Sequence, residues 1–377
     1  MKVAIVHDWL TTWAGAEKAL AELLACFPKA EVFTTVNFLE AENIPCLAGR
    51  RIHTSFIQRL PGARKHYRRY LPLMPIAVEQ FDLKGFDLIL SSSHAVAKGV
   101  ISDPGSLHVC YCYSPMRYAW DMQHQYLRQS KNDTGWLGGI MRWQLHRLRQ
   151  WDYISAQRVD HFIAISHYIK RRIEVFYRRE AHVVYPPVDV DKFCHDRPRE
   201  DFYLTASRMV PYKRIDLVIQ AFNRTPNRQL VVLGDGPDFA SLKSMAGPNV
   251  TLLGYQPDSV LVDYLERTRA FVFMAEEDFG ILPVEAQAAG APVIGYGVGG
   301  MRETVEEGVT GLLTTEQSVE SLLETLEHFE ALNDLAKKGE EYSERPFSPS
   351  VCRLNAQRFS NDTFKDAIHR FIQERMS

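Results

Sequence analysis

The chain has 377 residues, 46% hydrophobic and 24% charged, with a formal net charge of −2. That length exceeds what one compact core holds comfortably, so two domains are expected, and the ordinary apolar content excludes a disordered or fibrous chain. No apolar run is long enough to cross a bilayer, and the strand-like start at Val3 leaves no room for a leader peptide, so a cytoplasmic protein is expected.

The charge is unevenly spread. Residues 1–185 hold 24 Lys and Arg against 16 Asp and Glu, a net of +8, which leaves 20 against 30, a net of −10, for the remainder. A basic first half suits a phosphate-bearing acceptor or an anionic membrane surface, with the protein peripheral on the inner face. Nucleic acid is not expected, because no helix-turn-helix, zinc finger or aromatic RNA-binding pattern accompanies the charge. The six cysteines are scattered and read as reduced, mostly buried small apolar residues.

In chain order, Val3-Ala4-Ile5-Val6-His7 reads as a short strand, followed by a loop with Gly15 and a helical pattern from Lys18 to Leu24. A lone glycine is no dinucleotide fingerprint, yet it can bring backbone close to a phosphate at a helix start. Further strands are expected at 30–35, 86–91 and 107–112. Between the first two of these lies a basic, aromatic stretch from Arg59 to Pro72, which fits either a solvated helix face or contact with an anionic interface. His94 follows the strand at 86–91, and open α/β sheets bind ligands at strand carboxyl ends. The run Tyr113 to Asp121 follows the next strand end, and its aromatics suit either stacking on sugar rings or packing. An amphipathic stretch from Ile140 to Ala156 leads to a strand at 162–166, a basic helix from His167 to Arg179 and the stiff Tyr185-Pro186-Pro187, where the interdomain hinge is expected.

The second half repeats the strand, loop, helix pattern. After Phe202 to Ala206 come Arg208 and Lys213 on a loop, two cations that suit a diphosphate. Leu230 to Leu233 runs into Gly234-Asp235-Gly236, and strands are also expected at 250–254, 270–274 and 291–295. Behind the strand at 270–274 stands Glu277, then Phe279-Gly280-Ile281-Leu282-Pro283, then Glu285, with seven residues between the two acids. Pro283 marks a first helical turn, so the acids either bracket a ligand at the helix start or act as a cap with a solvated neighbour; spacing alone fits both. An apolar stripe of Phe364, Ile368, Phe371 and Ile372 closes the chain.

Taken together, Arg208, Lys213, Gly234-Asp235-Gly236, the Glu277 and Glu285 pair and Gly299-Gly300 with Glu303 give the chain its resemblance to the family 4 glycosyltransferases, retaining enzymes of the GT-B fold. The resemblance spans nearly the whole chain. It implies an α/β, GT-B architecture of two Rossmann-like doubly wound domains facing a central cleft. Residues 1–186, with a crossing helix at 360–377, would form the acceptor domain, and residues 187–359 the donor domain. It implies that Arg208 and Lys213 bind the diphosphate, that Glu277 contacts the donor sugar and that Glu285 accepts from the ribose hydroxyls. Gly234, Phe279, Gly280, Ile281 and Leu282 would line sugar and phosphate, with Gly15 near the diphosphate and His94 near the anomeric centre. The family usually shows two glycines in the first loop, and here Ala14 replaces one. The donor would be a UDP- or GDP-sugar, UDP-glucose or GDP-mannose first, and the acceptor a lipid-linked or growing polysaccharide. No cofactor and no metal are expected, since no Asp-x-Asp stands near a strand end. The alternatives are a GT-B epimerase or synthase acting on a small soluble sugar and a non-catalytic nucleotide-sugar-binding module.

Overall fold

The computed structural model describes residues 1–40, 44–129, 135–339 and 345–376. It divides into two α/β units, one of residues 1–185 and 364–377 and one of residues 186–363.

The first unit is built on a wholly parallel sheet of seven strands: β1 (Val3–His7), β2 (Glu31–Thr34), β3 (Ile52–Thr54), β4 (Leu88–Ser93), β5 (Leu107–Cys112), β6 (His161–Ala164) and β7 (Ala181–Val183), in spatial order 3-2-1-4-5-6-7. Every residue of β1 and β4 is buried, as expected of central strands covered by helices on both faces. The order reverses between β1 and β4, whose registers pair His7 with Ser92, so both carboxyl ends open at the same switch point.

The second unit repeats the plan with six parallel strands, β8 (Tyr203–Ala206), β9 (Leu230–Leu233), β10 (Val250–Gly254), β11 (Ala270–Phe273), β12 (Val293–Tyr296) and β13 (Gly311–Thr314), in order 10-9-8-11-12-13. Its reversal falls between β8 and β11. The core gathers Val218, Phe222, Val232, Val272, Ile294 and Phe329, all essentially inaccessible.

The final helix, Asn361–Met376, buries Phe364, Ile368, Phe371 and Ile372, the stripe visible in the sequence. Its residues from Phe364 belong to the first unit, where the Phe364 ring meets Tyr111 edge-on at 5.6 Å. Burying four such side chains contributes about 1.5–3 kcal/mol each. Ten expected strands form; β3, β7 and β13 were not foreseen. β3 and β7 are three-residue edge strands whose sequences, Ile-His-Thr and Ala-His-Val, carry no apolar run, so neighbouring backbone rather than side-chain pattern recruits them. The basic helix stops at Tyr177 rather than Arg179, because Arg178 adopts a left-handed φ of 56° and caps it.

All six cysteines are unpaired, four of them buried. Among the described residues, no helix is long and apolar enough to cross a membrane.

Candidate active site

In the first unit the chemistry converges on the β1–β4 switch point. Asp8, the residue after β1, is fully buried. Its carboxylate accepts the backbone N–H groups of His94 at 2.6 Å and Ala95 at 3.0 Å through Oδ2, and of Val96 at 2.6 Å and Ala97 at 2.7 Å through Oδ1. The turn after β4 is thus wrapped around one anion. His94 Nδ1 lies 2.9 Å from the same Oδ2, with the imidazole 31% exposed. Burial alone would raise the Asp8 pKa, but the His94 charge and hydrogen bonds outweigh it and hold the carboxyl well below its ordinary range. Burial would lower His94; the facing Asp8 charge reverses this and raises it. With Nδ1 directed to Asp8, the other ring nitrogen is the one available to a ligand.

Aromatic rings fix the orientation of that imidazole. Trp9 meets it edge-on at 4.6 Å and Tyr113 at 6.3 Å. Behind them runs a buried polar chain: His7 Nδ1 to Ser92 Oγ at 3.0 Å, Ser92 Oγ to Tyr113 OH at 2.9 Å, and Tyr113 OH donating to the Ala16 carbonyl at 2.9 Å. His7 Nε2 also lies 3.6 Å from Glu17 Oε1. This chain ties the start of helix Gly15–Cys26 to the strand ends. Gly15 is its first residue; the N-cap is Ala14, extended at φ −134°, whose N–H donates to Glu17 Oε2 at 3.0 Å. Any residue adopts that φ, so the alanine in place of the family's glycine carries no backbone strain.

Of the Tyr113 to Asp121 run, Tyr113 borders His94 while Trp120 points inward. Trp120 Nε1 donates to Asp152 Oδ2 at 2.7 Å and its ring stacks on Phe176 at 4.9 Å, so packing, not a sugar platform, is its role.

In the second unit the β8–β11 switch point plays the corresponding part. Arg208 follows β8 and is exposed. The Gly234-Asp235-Gly236 turn packs against its loop, since a Cβ on Gly234, at φ 126°, would overlap the Ser207 carbonyl. Lys213 ends a 3-10 turn, Pro211–Lys213, and its ammonium is ion-paired with Glu277 Oε1 across the switch point. Lys213 also lies 5.5 Å from the Phe273 ring. Two residues assigned separate tasks therefore form one pair.

The helix after β11 is Ile281–Ala288, with Gly280 as N-cap at φ 93°. This corrects both parts of the capping alternative: Glu277 does not cap, because its carboxylate is turned to Lys213, and Glu285 is buried rather than solvated. Glu285 is the fifth helical residue, on the second turn rather than the first-turn position expected from Pro283. Phe279 is buried, whereas Ile281 and Leu282 are half-exposed on the helix start. The loop is held by Gly299 and Gly300: Gly300 N–H donates to the Glu277 carbonyl at 2.8 Å, and a Cβ on Gly299, at φ 71°, would overlap that same carbonyl oxygen.

Asp8 was missed from sequence. The signal that singled out His94, an ionisable residue immediately after a buried strand, applies to it equally.

The family description "Glycosyltransferase Family 4" matches residues 13–192 and "Glycosyl transferases group 1" matches residues 191–345. An uncharacterized glycosyltransferase of Methanocaldococcus jannaschii is 26% identical over 208 residues, covering 53% of this chain and 58% of that protein. A D-inositol 3-phosphate glycosyltransferase of a Mycobacterium species is 31% identical over 170 residues, covering 38% of each. The chain thus spans less than two thirds of the length of these curated relatives. Among solved structures, HepE of Anabaena in complex with UDP superposes with a TM-score of 0.71 at 17% identity, covering 99% of this chain and 100% of that one. Sucrose-phosphate synthase of Thermosynechococcus elongatus gives 0.72 at 16% identity, with 99% of each covered. Such likeness establishes the GT-B fold.

Proposed function

Since the chain belongs to the family 4 glycosyltransferases, we propose that it moves a hexose from a nucleotide-diphosphate sugar, of the GDP-mannose or UDP-glucose type, to a lipid-linked or polysaccharide acceptor in surface polysaccharide synthesis. The observation that carries the reading is the second unit's switch point, where exposed Arg208 and the Lys213 and Glu277 pair stand at adjacent strand ends beside an open helix start. A fork-shaped cation and a point charge suit a diphosphate, and the acid between cation and helix suits sugar hydroxyls. The HepE structures with UDP and with UDP-glucose support a donor of this class.

In this reading Arg208 and Lys213 neutralise the diphosphate as it leaves, without a metal ion. Glu285 accepts from the ribose hydroxyls, while Gly234, Phe279, Gly280, Ile281 and Leu282 line phosphate and sugar. Gly15 meets the diphosphate and His94 the sugar near its anomeric carbon. Transfer proceeds with retention: the bond from anomeric carbon to phosphate oxygen breaks, the acceptor oxygen bonds on the same face, and its proton passes to the departing phosphate oxygen.

Calorimetry with UDP and GDP tests the donor site. Lys213→Ala and Arg208→Ala each remove a charged hydrogen-bond donor and should weaken the preferred nucleotide by about 10- to 100-fold; unchanged affinity in both variants would refute the assignment.

A further inference from the structure

We propose that the acceptor carries a phosphate ester, and that Arg68 and the Tyr118 hydroxyl of the first unit bind that phosphate beside His94. The inference rests on the transferase reading and names the acceptor class for the same active site.

An orphaned hydroxyl points to the ligand. Tyr118 follows β5 and packs against the first unit's core, as do Trp9 and Tyr67. The residue is half-buried, yet its hydroxyl oxygen is screened from solvent and has no hydrogen-bond partner among the described residues. Taking a hydroxyl out of water without a partner is costly, so such a group calls for something to complete it. A cation stands nearby. Arg68, on the 3-10 turn Tyr67–Leu73, is exposed, and its Nε donates to the Tyr67 hydroxyl at 3.1 Å, which also accepts from Thr11 Oγ1 at 3.2 Å. That tether orients the guanidinium and leaves its two Nη groups to a ligand, since no carboxylate pairs with Arg68 among the described residues. The Tyr67 ring meets Trp9 at 5.5 Å, and Trp9 meets His94 at 4.6 Å, so one chain of contacts runs from the imidazole to the guanidinium. Arg68 lies within electrostatic reach of both His94 and Tyr118.

Charge and donor geometry select the ligand. From Arg59 to Val78 the chain holds Arg59, Arg64, Lys65, Arg68 and Arg69 and no acid, so an anion is favoured over a neutral sugar. The guanidinium fork and the hydroxyl come from different segments of the fold. A phosphate presents its oxygens tetrahedrally and meets donors from both directions, whereas a carboxylate's two oxygens lie in one plane with the fork.

The full chain is titrated calorimetrically with glycerol phosphate, glucuronate and glycerol, first alone and then with the donor site saturated by whichever of UDP and GDP it binds. Glycerol phosphate is expected to bind in both states and to shift the His94 ring resonances in NMR spectra, and glycerol is not. Arg68→Ala should weaken that binding by about 10- to 100-fold, the loss of a charged hydrogen-bond donor. Tyr118→Phe should weaken it by about threefold to tenfold. The same variant should leave the urea midpoint undiminished, because no described residue bonds to that hydroxyl. Nucleotide affinity should be unchanged in both variants. Farnesyl phosphate separates the sources of the phosphate: tighter binding than glycerol phosphate, still dependent on Arg68, supports a lipid-linked acceptor, and equal binding supports a soluble or glycan one. Glucuronate bound as tightly as glycerol phosphate, no phosphate binding, or affinity that survives both variants would each overturn the subsite. A chain that binds glycerol phosphate through Arg68 but neither nucleotide would overturn the donor site and keep the subsite; one that binds a nucleotide but no phosphate ester would do the reverse.

Discussion

Asp8 organises the first unit more than any other side chain. One carboxylate serves four consecutive N–H groups and the imidazole of His94, a task two oxygens can perform only when ionised. Asp8→Ala leaves those groups unserved in a dry site, and the chain should lose about 3–5 kcal/mol of unfolding free energy in urea titration. The pair also dictates a pH dependence. His94 has a folded pKa above its ordinary value near 6.5, so its contribution is full below that pH and is lost as pH rises through the raised value. Asp8 has a folded pKa below its ordinary value, so its contribution is full above about pH 4 and is lost only as acid reaches the lowered value. Urea midpoints between pH 5.5 and 8.5 should therefore fall with rising pH in the native chain, and the fall should be smaller in His94→Gln; identical slopes would show that the pair does not couple.

Elements carry the next level of the design. The loop from Glu277 to Gly280 is pinned by backbone, with Gly299 and Gly300 admitting it to contact distance. Gly299→Ala introduces both a left-handed alanine and an overlap with the Glu277 carbonyl, and should cost about 2–4 kcal/mol while weakening nucleotide binding, readable together by urea titration and calorimetry. The helix Gly135–Ala156 is anchored by a buried pair, Lys98 with Asp152, to which Trp120 and Tyr177 also donate at 2.7 and 2.8 Å. Asp152→Ala strands the Lys98 charge and should cost about 3–5 kcal/mol in the same assay.

At the scale of the whole molecule, the two units repeat one topology, and each places its candidate residues where its strand order reverses. A nucleoside diphosphate held by Arg208 and Lys213 stabilises chiefly the unit that contains them. At 100 times the dissociation constant that linkage is about 2.7 kcal/mol, so hydrogen exchange should slow most within residues 186–363 and much less within β1 to β7; protection gained only in the first unit would place the donor site there instead.

Pattern in the sequence determined much of this. Apolar strand runs such as Leu107 to Cys112 and Ala270 to Phe273, each bounded by turn residues, announce two doubly wound sheets, and residues at strand ends announce where ligands meet them. Arg208, Lys213, Glu277 and His94 were legible as candidates because each stands directly after a buried strand or in the loop that follows one. What sequence could not supply is which strand ends become neighbours, because parallel order is set by crossovers between segments far apart in the chain. Asp8 and His94 are 86 residues apart, and Lys213 and Glu277 are 64 apart. Only the tertiary fold turned the first pair into a held imidazole and the second into one ion pair, and only it showed that Glu285 is buried and that Trp136 and Trp143 face water, since burial depends on what packs against a helix and not on the helix's own period.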